Sequence, residues 1–472
     1  MKKIAPASSI CFFLLLLPLL GGWLLMGSCA NVIPPVGGPR DSLPPMLIMA
    51  TPKDSSLNVQ PKLITLTFNE YVSVSDIFKN LIVNPEMTNQ PQVDYKLRNV
   101  TIKIKDSLRS NTTYSFQFGE AIRDVNESNI ARDFTYTFST GPRLDTLNYK
   151  GKVILAASGK IDSTLWVILH KDLSDTAVFK LKPPYSTKLN GKGEFQFNFL
   201  PKDSFQVFVV KSAFNKKYDD STQLFAFLPQ TIVPGAGKSD TLYAYQALEP
   251  KPAASSNTQT AVKALINKDD KRLRYSTTLD NGKQDLLKPL QIKLQRGIQQ
   301  IDTSGIVLCD TFFRPVTGSS LLIDSSQKTI TVQYPFKEKQ SFLLLLKKGA
   351  ITDSLGGTLV KGDTIKIGTK KQDDYGSIRI KFINLNLSKR PVLQIYEGDK
   401  FIDAYPITSQ EWKKNLFYPG NYEVRILFDS NGNGKWDPGQ YPGNKKLPEI
   451  VRVIPKELSV RAGWDNEMTI QL

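Results

Sequence analysis

From about residue 46 to its end the chain alternates. Short runs such as Leu63-Ile64-Thr65-Leu66-Thr67-Phe68 and Val100-Thr101-Ile102-Lys103-Ile104 put an apolar residue at nearly every second position. A period of two turns one side of a strand toward a core and the other toward solvent. Clusters of Gly, Asn and Asp separate the runs, and no segment sustains a 3.6-residue stripe. The pattern therefore predicts many short strands and no long helix. Strands at this spacing belong to sandwiches, so the expected fold class is all-β, built from tandem β-sandwich modules.

The alternation repeats at a larger scale. Residues 121–141 align without a gap to residues 350–370, with Ala121, Ile122, Asp124, Thr135 and Thr140 falling on Ala350, Ile351, Asp353, Thr364 and Thr369. Just upstream, Thr101-Ile102 falls on Thr329-Ile330, and Tyr114-Ser115-Phe116-Gln117-Phe118 on Phe342-Leu343-Leu344-Leu345-Leu346. A second pair joins the run Ser204 to Val210, followed by Asn215-Lys216-Lys217-Tyr218-Asp219, to the run Asn421 to Leu427, followed by Asn433-Gly434-Lys435-Trp436-Asp437. A register kept across a turn and the next strand points to duplication of a two-module unit, in the order A-B-A′-B′. The expected segments are a signal peptide over 1–28, a tether over 29–45, A over 46–143 and B over 147–247. A Pro/Ser-rich linker over 248–272 precedes A′ over 273–370 and B′ over 372–472.

The beginning of the chain breaks the alternation. Lys2 and Lys3 precede an almost wholly apolar run from Ile10 to Met26, and small residues then lead to Cys29. That order is the one of a secretory signal. The run is about long enough to cross a bilayer, which takes roughly 17–25 residues. Pro18, Gly21 and Gly22 interrupt it, however, and no basic cluster follows to hold it as a stop-transfer helix. Met26-Gly27-Ser28-Cys29 resembles the end of a bacterial lipoprotein signal. The resemblance implies that Cys29 becomes the mature N-terminus and carries acyl chains, so that the rest works outside the cytoplasm at a membrane. A plain cleaved signal and an uncleaved anchor are the alternatives.

Composition narrows the function classes. The 472 residues carry a formal charge of +17, and without Lys2 and Lys3 the balance is 59 basic to 44 acidic residues. The excess is spread out, with no block of five or six like charges, so no nucleic-acid partner is expected. A diffuse basic surface suits anionic lipid or polysaccharide better. Of Cys11, Cys29 and Cys309, only the last remains as a thiol once the leader is removed and Cys29 acylated. Cys309 lies in the apolar run Gly305-Ile306-Val307-Leu308-Cys309 and reads as buried and inert. The single histidine, His170, ends Leu165-Trp166-Val167-Ile168-Leu169 and excludes a histidine-cluster metal site. No nucleophile elbow, phosphate loop or paired acids appear, so the chain is expected not to be an enzyme.

Module A resembles a bacterial Ig-like domain of the surface-layer type. The likeness rests on Asp41, Pro44-Pro45, Thr51-Pro52, Phe68-Asn69-Glu70, Leu108 to Tyr114, Ile122-Arg123-Asp124 and Phe138-Ser139-Thr140-Gly141. Module A′ departs from it where Leu294-Gln295-Arg296 replaces Phe68-Asn69-Glu70. B and B′ resemble transthyretin-like or carboxypeptidase-regulatory sandwiches, through Gly193-Glu194-Phe195-Gln196-Phe197 with Leu200-Pro201 and through Tyr418-Pro419-Gly420-Asn421-Tyr422. The whole chain looks like the Ig-like-domain lipoproteins of Bacteroidota. That resemblance implies a lipid-anchored outer-membrane protein, on its periplasmic or outer face, acting as a scaffold or binding protein toward envelope proteins or polysaccharide. A glycan-binding surface adhesin is the alternative, with Trp412, Trp436, Tyr418 and Tyr441 as the aromatics to test.

One stretch carries metal chemistry. In Asp429-Ser430-Asn431-Gly432-Asn433-Gly434-Lys435-Trp436-Asp437 oxygen side chains recur at alternate positions with glycines between. Such a loop wraps a hard cation, with Asp429, Asn431, Asn433, Asp437 and the Lys435 carbonyl as ligands, and calcium as the candidate cofactor. Gln440 stands where the EF-hand pattern has a bidentate glutamate, so affinity should be weak, roughly 10⁻⁴–10⁻³ M. The competing reading is a plain tight connection built on Asn-Gly turns. The equivalent loop of B carries Lys211 and Ala213 in place of Asp429 and Asn431 and has no such ligand set.

Asp-Ser or Asp-Thr followed by an aliphatic residue or threonine starts at Asp41, Asp106, Asp145, Asp162, Asp175, Asp220, Asp240, Asp353 and Asp363. The pattern resembles an O-glycosylation sequon of exported Bacteroidota proteins. Turn formation by Asp-Ser and Asp-Thr is the competing account.

Overall fold

The computed structural model describes residues 40–211, 214–235, 237, 239–247 and 272–472. The leader, Cys29 and nearly all of the 248–272 linker lie outside the described residues. The chain divides into two compact units. One holds the residues up to 142 except 83–87 and 111–114, and the other holds those two stretches and everything from 143 onward.

The alternation becomes strands as expected. Ile64, Leu66 and Phe68 are fully buried along Leu63–Phe68, while Leu63, Thr65 and Thr67 face outward or stay half-exposed. In module A the first sheet runs, in spatial order, Leu47–Thr51, Leu63–Phe68, Asn99–Lys103, Gln92–Lys96. In A′ the order is Tyr275–Thr277, Leu290–Leu294, Thr329–Gln333, Ser320–Ile323, the same path through equivalent segments. The second sheets correspond too: Ile82–Asn84, Thr113–Gln117, Thr135–Ser139 in one, and Ile306–Cys309, Ser341–Leu346, Asp363–Thr369 in the other. Thr113–Gln117 and Ser341–Leu346, buried on most residues, sit centrally in these sheets, and in the second of them alternation gives way to a continuous apolar run.

B and B′ share a different topology. In B, Leu147–Leu155 lies between antiparallel Glu194–Leu200 and parallel Ser239–Ala244, opposite a sheet ordered Tyr185–Lys188, Trp166–His170, Gln206–Val210, Phe225–Phe227. In B′, Gly376–Ile383 likewise lies between antiparallel Glu411–Phe417 and parallel Asp465–Gln471. The facing sheet is ordered Lys400–Pro406, Pro391–Glu397, Gly420–Phe428, Ile450–Val453. A parallel partner reached after the whole sandwich has been built is an unusual closure, and finding it twice supports the A-B-A′-B′ order. Gly151 is required in B: a Cβ there would lie 2.4 Å from the Asp240 carbonyl oxygen and 2.6 Å from the Phe195 ring. Each sandwich of the second unit has its own core, with Leu169, Phe195 and Val207 in B, Ile292, Leu344 and Ile367 in A′, and Ile380, Val424 and Met468 in B′.

Within the second unit, B and B′ pack on each other. The Tyr441 ring lies 4.9 Å from Phe227, 5.4 Å from Phe225 and 5.6 Å from Phe208, and its hydroxyl donates to the Asp175 carbonyl at 3.1 Å. Lys445 pairs with Asp175 at 2.6 Å, and the Val451 N–H donates to the Ala156 carbonyl at 2.9 Å. A′ and B′ share a smaller polar contact. Tyr375 and Tyr418 both donate to the Asp285 carboxylate at 3.0 Å. Neither contact was legible in the sequence, because each depends on which residues of one module face another.

Candidate functional site: the Asp429–Glu449 loop

The Gly420–Phe428 strand ends at Asp429, and the Ile450–Val453 strand returns beside it with Phe428 opposite Ile450. That register makes Asp429 and Glu449 the pair at the mouth of a long hairpin. Both are almost fully buried, at 2% and 4% exposure. The Asp429 carboxylate accepts the Gly432 and Gly434 N–H groups, each at 2.6 Å. Gly432 and Gly434 have φ of 78° and 75°, the left-handed region that glycine enters without cost. Asn431 accepts from the Asn433 N–H at 3.0 Å, and Asn433 from the Lys435 N–H at 2.7 Å. The side-chain amides of both asparagines donate to Asp437.

Glu449 closes the other side. It accepts from the Ser430 N–H at 2.7 Å, the Ser430 hydroxyl at 2.6 Å and the Asp437 N–H at 3.1 Å. Its carbonyl accepts the Trp436 indole at 2.7 Å. Position twelve of the expected cation loop, Gln440, instead pairs its backbone with Lys446 at 2.8 Å. The sequence reading missed Glu449, because its place beside Asp429 follows only from the pairing of Phe428 with Ile450.

The loop thus gathers Asp429, Asn431, Asn433 and Asp437 as expected and adds a buried carboxylate. The oxygens are the hard donors calcium takes. Among the described residues, no group of three or more His, Cys, Asp or Glu side chains is placed to hold a metal ion. As the loop stands, the asparagine amide groups point at Asp437 and their oxygens accept loop N–H groups. Coordination of a cation requires those amides to turn.

The other singled-out residues have structural partners. His170 is 1% exposed with its ring edge-on to Phe208, and burial, only partly opposed by Asp172, pulls its pKa down to about 4. Cys309 is buried, which pushes its thiol pKa up. Asp124 accepts the N–H groups of Glu127, Ser128 and Asn129 within 2.9 Å, and its duplicate Asp353 accepts those of Leu355 and Gly357. Arg296 lies 3.5 Å from Asp353, in the place that Glu70 takes in A. Burial, Asp124, Asp41 and Glu127 all raise the pKa of Glu70.

The aromatics proposed for glycan binding are dispersed. Tyr441 is buried between B and B′, Tyr418 bonds Asp285, Trp412 packs on Tyr405 at 4.8 Å, and Trp436 bonds Glu449. In the Asp-Ser/Thr pattern, Asp41, Asp106, Asp162, Asp220 and Asp353 each accept a nearby backbone N–H. The following hydroxyl residue is exposed at every site except Ser221, which is half-buried. The turn account covers Asp41, Asp162, Asp220 and Asp353, whereas Asp106 ties down the backbone at Thr88 and Asn89.

Comparison with known proteins reaches one module. The bacterial Ig-like domain family matches residues 41–140. No curated protein matches the chain. Among solved structures, the N-terminal part of the surface-layer protein SbsC is 16% identical, with a TM-score of 0.16 over 37% of this chain and 42% of that one. The Bacillus anthracis TIE protein is 11% identical with a TM-score of 0.16, over 92% of this chain and 76% of that one. The major pilin subunit BcpA of Bacillus cereus is 11% identical with a TM-score of 0.16, over 69% of this chain and 99% of that one. No helix of the described residues is long and apolar enough to cross a membrane.

Proposed function

We propose that the chain is a non-catalytic lipoprotein of the outer membrane, tethered through acyl chains on Cys29, that serves as a scaffold or binding protein for other envelope components. The observation that carries this reading is the way the polar and aromatic side chains are spent. Asp175, Asp285, Tyr418 and Tyr441 hold modules to one another, and Asp124 and Asp353 hold turns. An Ig-like match over residues 41–140 agrees with a structural module of this kind. The proposed segments keep the limits given above, from the signal peptide over 1–28 to B′ over 372–472.

Growth with a clickable fatty acid tests the tether. Label should appear on the wild-type chain in the outer-membrane fraction and vanish in Cys29→Ala; label that survives the substitution defeats the reading.

Calcium at the Asp429 loop is the second part of the proposal, supported by four oxygen-bearing side chains in one short loop and by the buried Glu449 beside them. Binding with a Kd of roughly 10⁻⁴–10⁻³ M would stabilise the chain by about 1–2 kcal/mol at 5 mM calcium. The melting temperature of the full chain should rise accordingly with calcium, and Asp429→Asn should remove the rise. An unchanged melting temperature in the wild type discards the metal.

A further inference from the structure

Phe312 and Phe313 stand at the tip of the turn after the Ile306–Cys309 strand of A′, 73% and 61% exposed. The turn is firmly built. The Asp310 carboxylate accepts the Phe312 and Arg314 N–H groups, both at 2.9 Å. The Asp310 N–H donates to the Arg314 carbonyl at 2.9 Å, and the Phe313 N–H to the Asp310 carbonyl at 3.1 Å. Phe313 holds a φ of 64°, a region that disfavours a bulky side chain. The Arg314 guanidinium lies 5.5 Å over the Phe312 ring.

The equivalent turn of A follows Ile82–Asn84 and carries Pro85 and Met87, both buried. In A′, residues 311–315 are all exposed. The aromatic tip is therefore a property of this copy and not of the module type. Its surroundings are basic. Cys309 pairs with Leu343, so the turn leaves the sheet at the end where residues 335–340 enter it, and these include exposed Lys337 and Lys339. The acids at this end are Asp310, which caps the turn, Glu338, which lies 4.0 Å from Lys339 and accepts the Gln372 N–H, and Asp373 and Asp374, which follow exposed Lys371.

We propose that this tip docks on an anionic phospholipid surface, with the Phe312 and Phe313 rings entering the headgroup level and Arg314, Lys337 and Lys339 facing the phosphates. Aromatic bodies settle at the membrane–water boundary, and basic residues near an anionic surface add attraction that fades within a Debye length. A convex aromatic tip bordered by cations suits a soft, negatively charged sheet. The excess of 59 basic over 44 acidic residues outside the leader acts in the same direction. The docking does not depend on acylation of Cys29, because the contact is made by A′ itself.

The test places an NBD label on Phe312→Cys in the mature chain carrying Cys29→Ser, so that no acyl chain anchors it, with the same chain lacking Phe312→Cys labelled in parallel as background, since the remaining thiol, Cys309, is only 1% exposed. Vesicles of phosphatidylcholine alone, or with phosphatidylglycerol, are then added. With phosphatidylglycerol the emission should shift to the blue and be quenched by spin-labelled acyl chains. Adding Phe313→Ser and Arg314→Glu should weaken partitioning about tenfold while the melting curve stays that of the parent. A label that keeps its aqueous emission with both vesicle types overturns the proposal. So does a blue shift that appears without vesicles and grows with protein concentration, which would assign the tip to a protein contact.

Discussion

His170 lies at the end of the Trp166–His170 strand, on the face opposite the B core residues Val167 and Leu169. Its ring is neutral in the fold because burial pulls its pKa down to about 4. An unfolded chain takes the proton near pH 6.5. Stability should therefore be full above about pH 6.5 and fall as pH drops toward 4, by about 3 kcal/mol in total, because the unfolded state binds the proton first. Denaturant titrations between pH 7 and 4 check this, and His170→Gln should flatten the slope. A slope unchanged by the substitution assigns the pH dependence to other groups. In the sequence His170 ends an apolar run and has no second histidine to form a metal cluster with. The depth of its burial was not legible, since that depends on what covers the outer face of the strand. Glu449 shows the same limit: a lone glutamate before a strand acquires meaning only once Phe428 and Ile450 are known to pair.

At the scale of elements, the stretch from Asp429 to Asp437 and the segment that follows Asp437 have separate tasks. The first ties its own hairpin together, and the second carries Gly439 and Tyr441 into B. Gly439 is needed because a Cβ would come within 2.7 Å of the Tyr245 ring. Tyr441→Ala removes a buried aromatic from the Phe208, Phe225 and Phe227 cluster, and should cost about 3–5 kcal/mol in a thermal or denaturant melt. Tyr441→Phe keeps the ring, loses only the bond to the Asp175 carbonyl, and should cost about 1 kcal/mol. Equal losses from the two variants would mean that ring packing is not what joins B to B′. Gly434→Ala meets open space at a φ of 75°, so its cost of about 1–2 kcal/mol is the backbone's alone. The runs over residues 63–68 and 100–104 announced strands that the structure contains. The contact between B and B′ left no signal, because Tyr441 in a Gly-Gln-Tyr-Pro-Gly stretch reads as an ordinary surface turn.

On the scale of the whole molecule, a repeated two-module unit accounts for the order of the modules, and the two copies differ in detail. The turn aspartate Asp124 of A corresponds to Asp353 of A′, which has an arginine beside it, and the Pro85–Met87 turn corresponds to an exposed aromatic one. Register across a turn made the duplication readable in sequence, and the repeated parallel closing strand agrees with it in three dimensions. Partner identity is written in neither. The central claim, that the chain holds other envelope proteins, is tested most directly by cross-linking in intact cells, isolation of the chain under denaturing conditions and identification of the adducts by mass spectrometry. Discrete adducts with a small set of envelope proteins, the same in independent cultures, are the expected result. Adducts carrying polysaccharide alone would contradict the scaffold and favour the adhesin.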